Sequence, residues 1–93
     1  MYYVYIMTNA SNSALYVGMT NDLRRRVAEH KAHRNPDSYT AKYKSHKLVW
    51  FEQTKSVYSA ITREKQIKDW SRGKKLEMIL AANPTFMDLF PTL

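Results

Sequence analysis

The sequence contains no cysteine, only two glycines, and no apolar run long enough to cross a membrane. Without cysteine, the chain can form neither a disulfide framework nor a thiolate metal site, and this composition suits a reducing compartment. A membrane span needs about 18 consecutive apolar residues. The first residues, MYYVYIM, lack the basic segment and the long apolar stretch of a secretory signal peptide. We therefore expect a cytoplasmic protein with no membrane association.

Positive charge is abundant, and it is concentrated in the middle of the chain. The 93 residues carry a formal net charge of +7. All 15 lysines and arginines lie between Arg24 and Lys75 together with five acidic residues, which gives this section a formal charge of 15 − 5 = +10. A basic section of this kind is typical of proteins that bind a polyanion. We expect the partner to be nucleic acid, with DNA favoured over RNA.

Two alternating runs at the start of the chain predict a β-hairpin. In YYVYIM and ALYVGMT, aromatic and β-branched residues alternate between two faces, and the intervening NASNS is typical of a turn. In the expected register Tyr5 pairs with Tyr16, while Val4 and Val17 share the opposite face. A third strand is predicted over KLVWFEQT.

Three helices complete the expected fold. Thr20, Asn21 or Asp22 can cap a helix that runs from about Asp22 to Ala32, and Ser56 can cap a second helix that runs to about Arg72 and stops at Gly73. The third covers KKLEMILAA and ends at the dipeptide NP. The order β-β-α-β-α-α predicts a small α+β domain, a three-stranded antiparallel sheet flanked by helices. We interpret 1–93 as one domain, with a core over 1–83 and a tail over 84–93 whose apolar side chains dock onto the core.

Glu64 breaks the apolar pattern of the second predicted helix. It falls in the middle of the face formed by Ala60, Ile61 and Ile67, where an unpaired carboxylate would cost several kcal/mol. Two interpretations remain open: a salt bridge, to Lys68 or to an arginine such as Arg26, and a metal-binding or catalytic carboxylate.

The first predicted helix sorts its charged residues by face. Arg26 and His30 are four positions apart and border the apolar stripe of Leu23 and Val27, whereas Arg24 and Arg25 point to solvent. The alternative interpretation is that Arg26 is an ordinary surface cation and that His30 has no functional role. Tyr5 and Tyr16 could equally be an ordinary cross-strand aromatic pair.

Taken together, these motifs resemble the GIY-YIG nuclease superfamily, and in particular its small single-domain bacterial members. The resemblance rests on YVY at 3–5, YVG at 16–18, NDLRRRVAEH and AITREKQIKDWSRGKK, and it covers nearly the whole chain. It implies metal-dependent hydrolysis of nucleic acid, with these active-site residues: Tyr5, Tyr16, Arg26, His30 and Glu64. Nucleic-acid contacts are expected from the basic section and from an asparagine that some members place near the site: Arg24, Arg25, Lys42, Lys68 and Asn83.

The chemistry implied by the resemblance assigns each residue a role. Glu64 would hold one Mg²⁺ or Mn²⁺ ion, since no second carboxylate ligand is evident in the sequence. Arg26 would clamp the phosphate, and Tyr5, Tyr16 or His30 would position or activate water. The alternative is a nucleic-acid-binding module with the nuclease fold and little turnover, in which aromatic residues stack on bases. The candidates for stacking are Tyr39, Tyr43, Trp50 and Trp70.

Overall fold

The computed structural model describes residues 1–32 and 45–93 and confirms the predicted α+β fold. Three strands form one antiparallel sheet in the order β2-β1-β3. The elements in chain order are β1 (Tyr2–Thr8), β2 (Leu15–Thr20), α1 (Leu23–Lys31), β3 (Lys47–Thr54), α2 (Val57–Asp69) and α3 (Arg72–Ala82), with a final 3₁₀ turn at Phe90–Thr92. Three predicted contact residues, Tyr39, Lys42 and Tyr43, lie outside the described residues.

The alternation of β1 divides the core into two layers on opposite faces of the sheet. The first layer, covered by α2 and α3, consists of Val4, Ile6, Val17, Val49, Trp50, Ala60, Ile67 and Ile79. The second layer, covered by α1 and the C-terminal segment, consists of Tyr5, Met7, Leu23, Val27 and Leu48. Tyr5 of β1 therefore faces the helix that carries the arginines and the histidine.

The predicted hairpin register is wrong by two residues. Tyr5 pairs with Gly18, and Tyr16 pairs with Met7. The connecting loop is longer than expected because the side-chain oxygen of Asn9 accepts hydrogen bonds from two backbone N–H groups near the loop end, those of Ser13 and Ala14. Side chains alternate with a period of two, so this even shift leaves each of them on its predicted face.

The boundary between α2 and α3 also differs from the prediction. The second helix ends at Asp69, because Trp70 adopts an extended backbone conformation with ψ of 151°. Ser71 then caps a new helix by accepting a hydrogen bond from the backbone N–H of Lys74 at 3.2 Å. Gly73 consequently lies in the first turn of α3, and its predicted role as a helix stop is wrong.

The C-terminal segment packs onto the second layer. Leu89 and Phe90 contact this layer, and the backbone N–H of Leu89 donates to the carbonyl oxygen of Leu48 at 2.7 Å. Asp88 accepts a hydrogen bond from the N–H of Leu48 and forms an ion pair with Lys31 of α1. The segment thus fastens α1 to the start of β3. None of the helices in the described ranges has the length and hydropathy to span a bilayer.

Candidate active site

Tyr5 and His30 form a buried hydrogen-bonded pair between the sheet and α1. The Tyr5 hydroxyl oxygen lies 3.0 Å from Nε2 of His30, and the two residues are 1% and 6% exposed. Tyr5 comes from the middle of β1. His30 is in the last turn of α1, on the helix face that also buries Leu23 and Val27. The helical spacing of these three residues therefore directs the imidazole at the tyrosine.

Tyr16 completes an aromatic cluster with this pair. Its ring centroid lies 6.2 Å from that of Tyr5 and 5.4 Å from the imidazole of His30, the latter in an edge-on arrangement. Tyr16 belongs to the edge strand β2 and is half-buried. It therefore presents the cluster to solvent, whereas Tyr5 and His30 lie behind it.

Arg26 brings a positive charge to the same cluster. Its guanidinium is close enough to the Tyr5 hydroxyl to act on the pKa of Tyr5, and it lies 3.4 Å from a carboxylate oxygen of Glu29, one turn along α1. The side chain is 43% exposed, so it can still receive an anion from solvent. Arg24 and Arg25 are exposed, as the predicted helix phase requires.

Burial makes the Tyr5–His30 pair neutral at physiological pH. Burial, supported by the nearby Tyr16, raises the pKa of Tyr5 well above its ordinary range, although Arg26 acts in the opposite direction. Burial, supported by the charge of Arg26, lowers the pKa of His30 to about 4. Both shifts follow from the cost of placing a charge in a low-dielectric interior.

Gly18 makes room for the tyrosines. A β-carbon at this position would lie 2.5 Å from the Tyr5 hydroxyl oxygen and 2.9 Å from Cε2 of Tyr16. Both distances are shorter than van der Waals contact, so any larger side chain would displace a ring of the cluster. Only glycine at position 18 thus leaves the space that the Tyr5 hydroxyl occupies.

Glu64 lies on α2, which packs against β2 on the sheet face opposite α1. Its carboxylate is 3.6 Å from Nζ of Lys68, and its side chain is 21% exposed. The salt bridge to Lys68 is therefore present, as one interpretation of the sequence expected. An ion pair with such an exposed lysine is weak, which leaves the carboxylate able to exchange its partner for a cation.

The donor set fits one hard cation. Carboxylate oxygens are preferred ligands of Mg²⁺ and Mn²⁺. Within 1–32 and 45–93, no three histidine, cysteine, aspartate or glutamate side chains group to form a multidentate metal site. An ion on Glu64 would thus take its other ligands from water and substrate.

The other residues predicted to contact nucleic acid differ in how exposed they are to solvent and in whether they already have a partner within the fold. The side chain of Arg25 is 64% exposed and that of Lys68 is 52% exposed. Arg24 is engaged by the C-terminal segment: it donates to the carbonyl oxygen of Leu93 at 2.9 Å and lies over the ring of Phe90 at 5.3 Å.

Asn83, one of the predicted nucleic-acid contacts, is buried and hydrogen-bonded within the fold. It is 4% exposed and ends α3. Its amide donates to the carbonyl oxygens of Val49 and Met87 and accepts from the N–H of Met87. These bonds occupy the side chain within the fold and leave it hidden from a ligand.

Two aromatic residues proposed for base stacking are also engaged within the fold. Trp50 is 7% exposed and belongs to the first core layer. The Trp70 ring lies near Lys74 at 4.4 Å and Arg63 at 5.3 Å. Trp50 is buried because β3 places it on the face of the sheet that α2 and α3 cover.

The sequence analysis did not assign two residues to the site, Glu29 and Gly18, although a sequence feature indicates each of them. Glu29 stands three positions after Arg26, which is the spacing of neighbours on a helix surface. Gly18 is one of only two glycines in the chain and interrupts an otherwise regular strand pattern.

The sequence also matches a known protein family. The profile of the GIY-YIG catalytic domain matches residues 1–77. The chain belongs to the GIY-YIG family. The match includes all five predicted active-site residues and ends within α3, so the C-terminal segment lies outside it.

Curated relatives and a solved structure support membership of the GIY-YIG family. The UPF0213 protein of Syntrophus aciditrophicus is 38% identical over 77 residues, 83% of this chain and 87% of that protein. The UPF0213 protein of Staphylococcus haemolyticus is 40% identical over 78 residues, 84% of this chain and 93% of that protein. The solution NMR structure of a UPF0213 protein from Bacillus halodurans aligns with a TM-score of 0.59 at 27% identity, covering 95% of this chain and 93% of that chain.

Proposed function

We propose that this GIY-YIG protein hydrolyses phosphodiester bonds in nucleic acid with the help of one divalent cation. The observation that carries the proposal is the cluster of Tyr5, Tyr16, His30 and Arg26. It gathers two phenols, an imidazole and a guanidinium beside an edge strand. The formal net charge of +7 and membership of a nuclease superfamily support nucleic acid as the substrate.

Arg26 is proposed to hold the scissile phosphate. Its fork of N–H donors matches two phosphate oxygens. In the free protein the guanidinium pairs with Glu29 and is close to Tyr5, and because the side chain is 43% exposed it can bind the anion. Binding next to β2 would bring the phosphate within reach of residues on both faces of this edge strand.

Tyr16 is the phenol we propose to contact the attacking water, because it is the half-exposed member of the cluster. Tyr5 is proposed to position the phenol of Tyr16, with the Tyr5 hydroxyl hydrogen-bonded to His30 and close to Arg26. The pKa of His30 is lowered in the free protein by burial and by Arg26. A phosphate bound to Arg26 would offset the charge of Arg26 and make His30 a better proton acceptor.

Glu64 is proposed to hold Mg²⁺ or Mn²⁺, whose charge, when the ion is bound, polarises the phosphate and stabilises the leaving oxygen. The carboxylate enters from α2, on the face of the sheet opposite Arg26. The two groups would thus contact the phosphate from different sides.

A second candidate function is nucleic-acid binding with little turnover. The observation that favours it is the ion pair between Glu64 and Lys68, which neutralises the only proposed metal ligand. In that case the basic surface would bind phosphates while the cluster remained inactive.

A cleavage panel separates these two functions. The substrates are end-labelled single-stranded, duplex and branched DNA and RNA, each incubated with Mg²⁺, Mn²⁺ or EDTA. We expect metal-dependent cleavage that is lost in Glu64→Gln and retained in the control Glu77→Gln, which changes an exposed glutamate of α3. Cleavage in EDTA, or by Glu64→Gln at the wild-type rate, would contradict the metal role. Binding without cleavage across the panel would support the second candidate.

A further inference from the structure

A cleft lies beside the aromatic cluster, between the start of α1, the sheet and the last residues of the chain. Its volume is about 430 Å³, within the roughly 300–1,000 Å³ typical of small-molecule sites. Its lining includes Tyr3, Asn21, Arg24, Phe51, Gln53 and Leu93.

The register of the sheet places this cleft next to Tyr5. Phe51 pairs directly with Tyr5, and Gln53 pairs with Tyr3. Tyr3 and Tyr5 are two positions apart on one strand, so their side chains stand on the same face, roughly 7 Å apart. The cleft is therefore adjacent to the proposed reaction centre on the same face of the sheet.

The walls of the cleft offer two aromatic surfaces and two solvent-exposed amides. Tyr3 and Phe51 are half-buried at the margin of the second core layer. The side-chain amides of Asn21 and Gln53 make no hydrogen bond to any residue in 1–32 or 45–93. Flat apolar rings beside exposed amide groups that can exchange water for a ligand suit a planar ligand with hydrogen-bonding edges.

A nucleobase has these properties. Bases stack on aromatic side chains, and the amides of asparagine and glutamine recognise base edges. Arg24, held at the rim by Leu93 and Phe90, adds a positive charge for the backbone of the same strand. In a duplex both faces of a base are covered by its neighbours, so only an unpaired or extruded base could enter.

We infer that this cleft binds an unpaired nucleobase adjacent to the scissile phosphate. The inference rests on the proposed function in taking nucleic acid as the ligand. It adds a substrate class: strands that present at least one unpaired nucleotide at the cleavage position. Stacking on Tyr3 and Phe51 would hold the strand, and Asn21 and Gln53 would contact the edge of the base.

The test compares two DNA strands of equal length and charge. One is a short fluorescently labelled oligothymidylate, and the other is the same backbone with every position abasic. Affinities are measured by fluorescence anisotropy in EDTA, which removes the proposed metal from the measurement. We expect the wild-type protein to bind the strand with bases at least about fivefold more tightly, the lower end of what one base stacked on an aromatic residue contributes.

Variants assign this preference to the cleft. Phe51→Leu removes a stacking surface, and Gln53→Ala changes an exposed residue, so it keeps the test valid if Phe51→Leu fails to fold. Both should lose most of the preference for bases while binding the abasic strand as the wild type does. The control Tyr58→Leu removes an aromatic side chain that is 79% exposed on α2, and it should keep the preference.

Two results would overturn the inference: equal binding of both strands by the wild type, or a preference that persists in both Phe51→Leu and Gln53→Ala. These failures are distinguishable from failure of the proposed function. A protein that cleaves DNA yet binds both strands equally would retain the function and lose the cleft. A protein that never cleaves could still show the base preference.

Discussion

The hydroxyl oxygen of Tyr5 and Nε2 of His30 lie 3.0 Å apart, in an interior that leaves 1% and 6% of the two residues exposed. The hydrogen bond joins the central strand of the sheet to α1. Because burial disfavours a charge on either group, the pair is stable only when both are neutral. The geometry of the site and the stability of the protein are thus coupled through one imidazole.

The first prediction is that the protein loses stability on mild acidification. The pKa of His30 is about 4 in the folded protein and about 6.5 in an unfolded chain. The unfolded state therefore binds the proton more readily between these values, and the free energy of unfolding should fall as pH drops from about 6.5 to about 4. The full loss is on the order of 3 kcal/mol. Urea denaturation at several pH values measures it.

Two variants identify the group responsible for this loss. His30→Gln should unfold with a shallower pH dependence between about pH 6.5 and 4.5. The control His46→Gln changes an exposed histidine and should follow the wild type. The pKa of Asp88 is also shifted: burial opposes the shift, but the hydrogen bonds from Lys31, Phe90 and Leu48 outweigh it and lower the pKa. Its contribution is lost only below its usual pKa of 3.8, outside this window. An unchanged slope in His30→Gln would contradict the assignment.

The second prediction concerns the two glycines. In Gly18→Ala the new methyl group would lie 2.5 Å from the Tyr5 hydroxyl oxygen, so the ring must move and its bond to His30 must weaken. We expect a loss of about 1–3 kcal/mol in stability and a large loss of cleavage. Gly73→Ala is the matched control. A methyl group there meets no atom of the described residues within 4 Å, and alanine favours a helix, so stability should rise by up to about 1 kcal/mol. Equal effects in thermal denaturation would refute the role of Gly18.

Much of the fold could be predicted because its signals are local. The alternation in β1 and the spacing of Leu23, Val27 and His30 on α1 each depend on neighbours a few residues away. The hairpin register could not be predicted, because it depends on how Asn9 closes the loop. The end of α2 was misplaced because Ser71 caps a new helix before Gly73 is reached.

Parts of the site depend on contacts between distant segments. The phase of α1 directed Arg26 inward, but the hydrogen bond between Tyr5 and His30 joins residues 25 positions apart. Asn83 likewise depends on a distant partner. It lies at the end of α3 and donates a hydrogen bond to the carbonyl oxygen of Val49, 34 positions away, which no local sequence pattern shows. Local periodicity therefore identifies a face, and only the packed structure identifies the partner.

The third prediction tests the competition between Lys68 and a metal ion for Glu64. Nζ of Lys68 is 3.6 Å from the carboxylate, so the ammonium occupies the position that a cation would approach. Lys68→Met removes this charge and should lower the Mg²⁺ concentration for half-maximal cleavage by about two- to fivefold, the scale of an exposed ion pair. Lys65→Met, an exposed lysine on the same helix, controls for the loss of charge. If both variants shift the requirement equally, the effect is general electrostatics and Lys68 has no specific role.

The fourth prediction separates the arginines of α1. Arg26 lies against Tyr5, whereas the side chain of Arg25 is 64% exposed and pairs with Asp22 at 4.0 Å. If Arg26 stabilises the charge that develops on the phosphate, Arg26→Ala should reduce single-turnover cleavage at saturating enzyme by about a hundredfold or more. Arg26→Lys should restore only part of this, because an ammonium cannot form the bidentate fork. Arg25→Ala should instead weaken binding, most clearly at low salt, where exposed charges are least screened. Circular dichroism checks that every variant is folded. If Arg25→Ala slows saturated cleavage as much as Arg26→Ala does, the phosphate is not held by the arginine that faces the tyrosines.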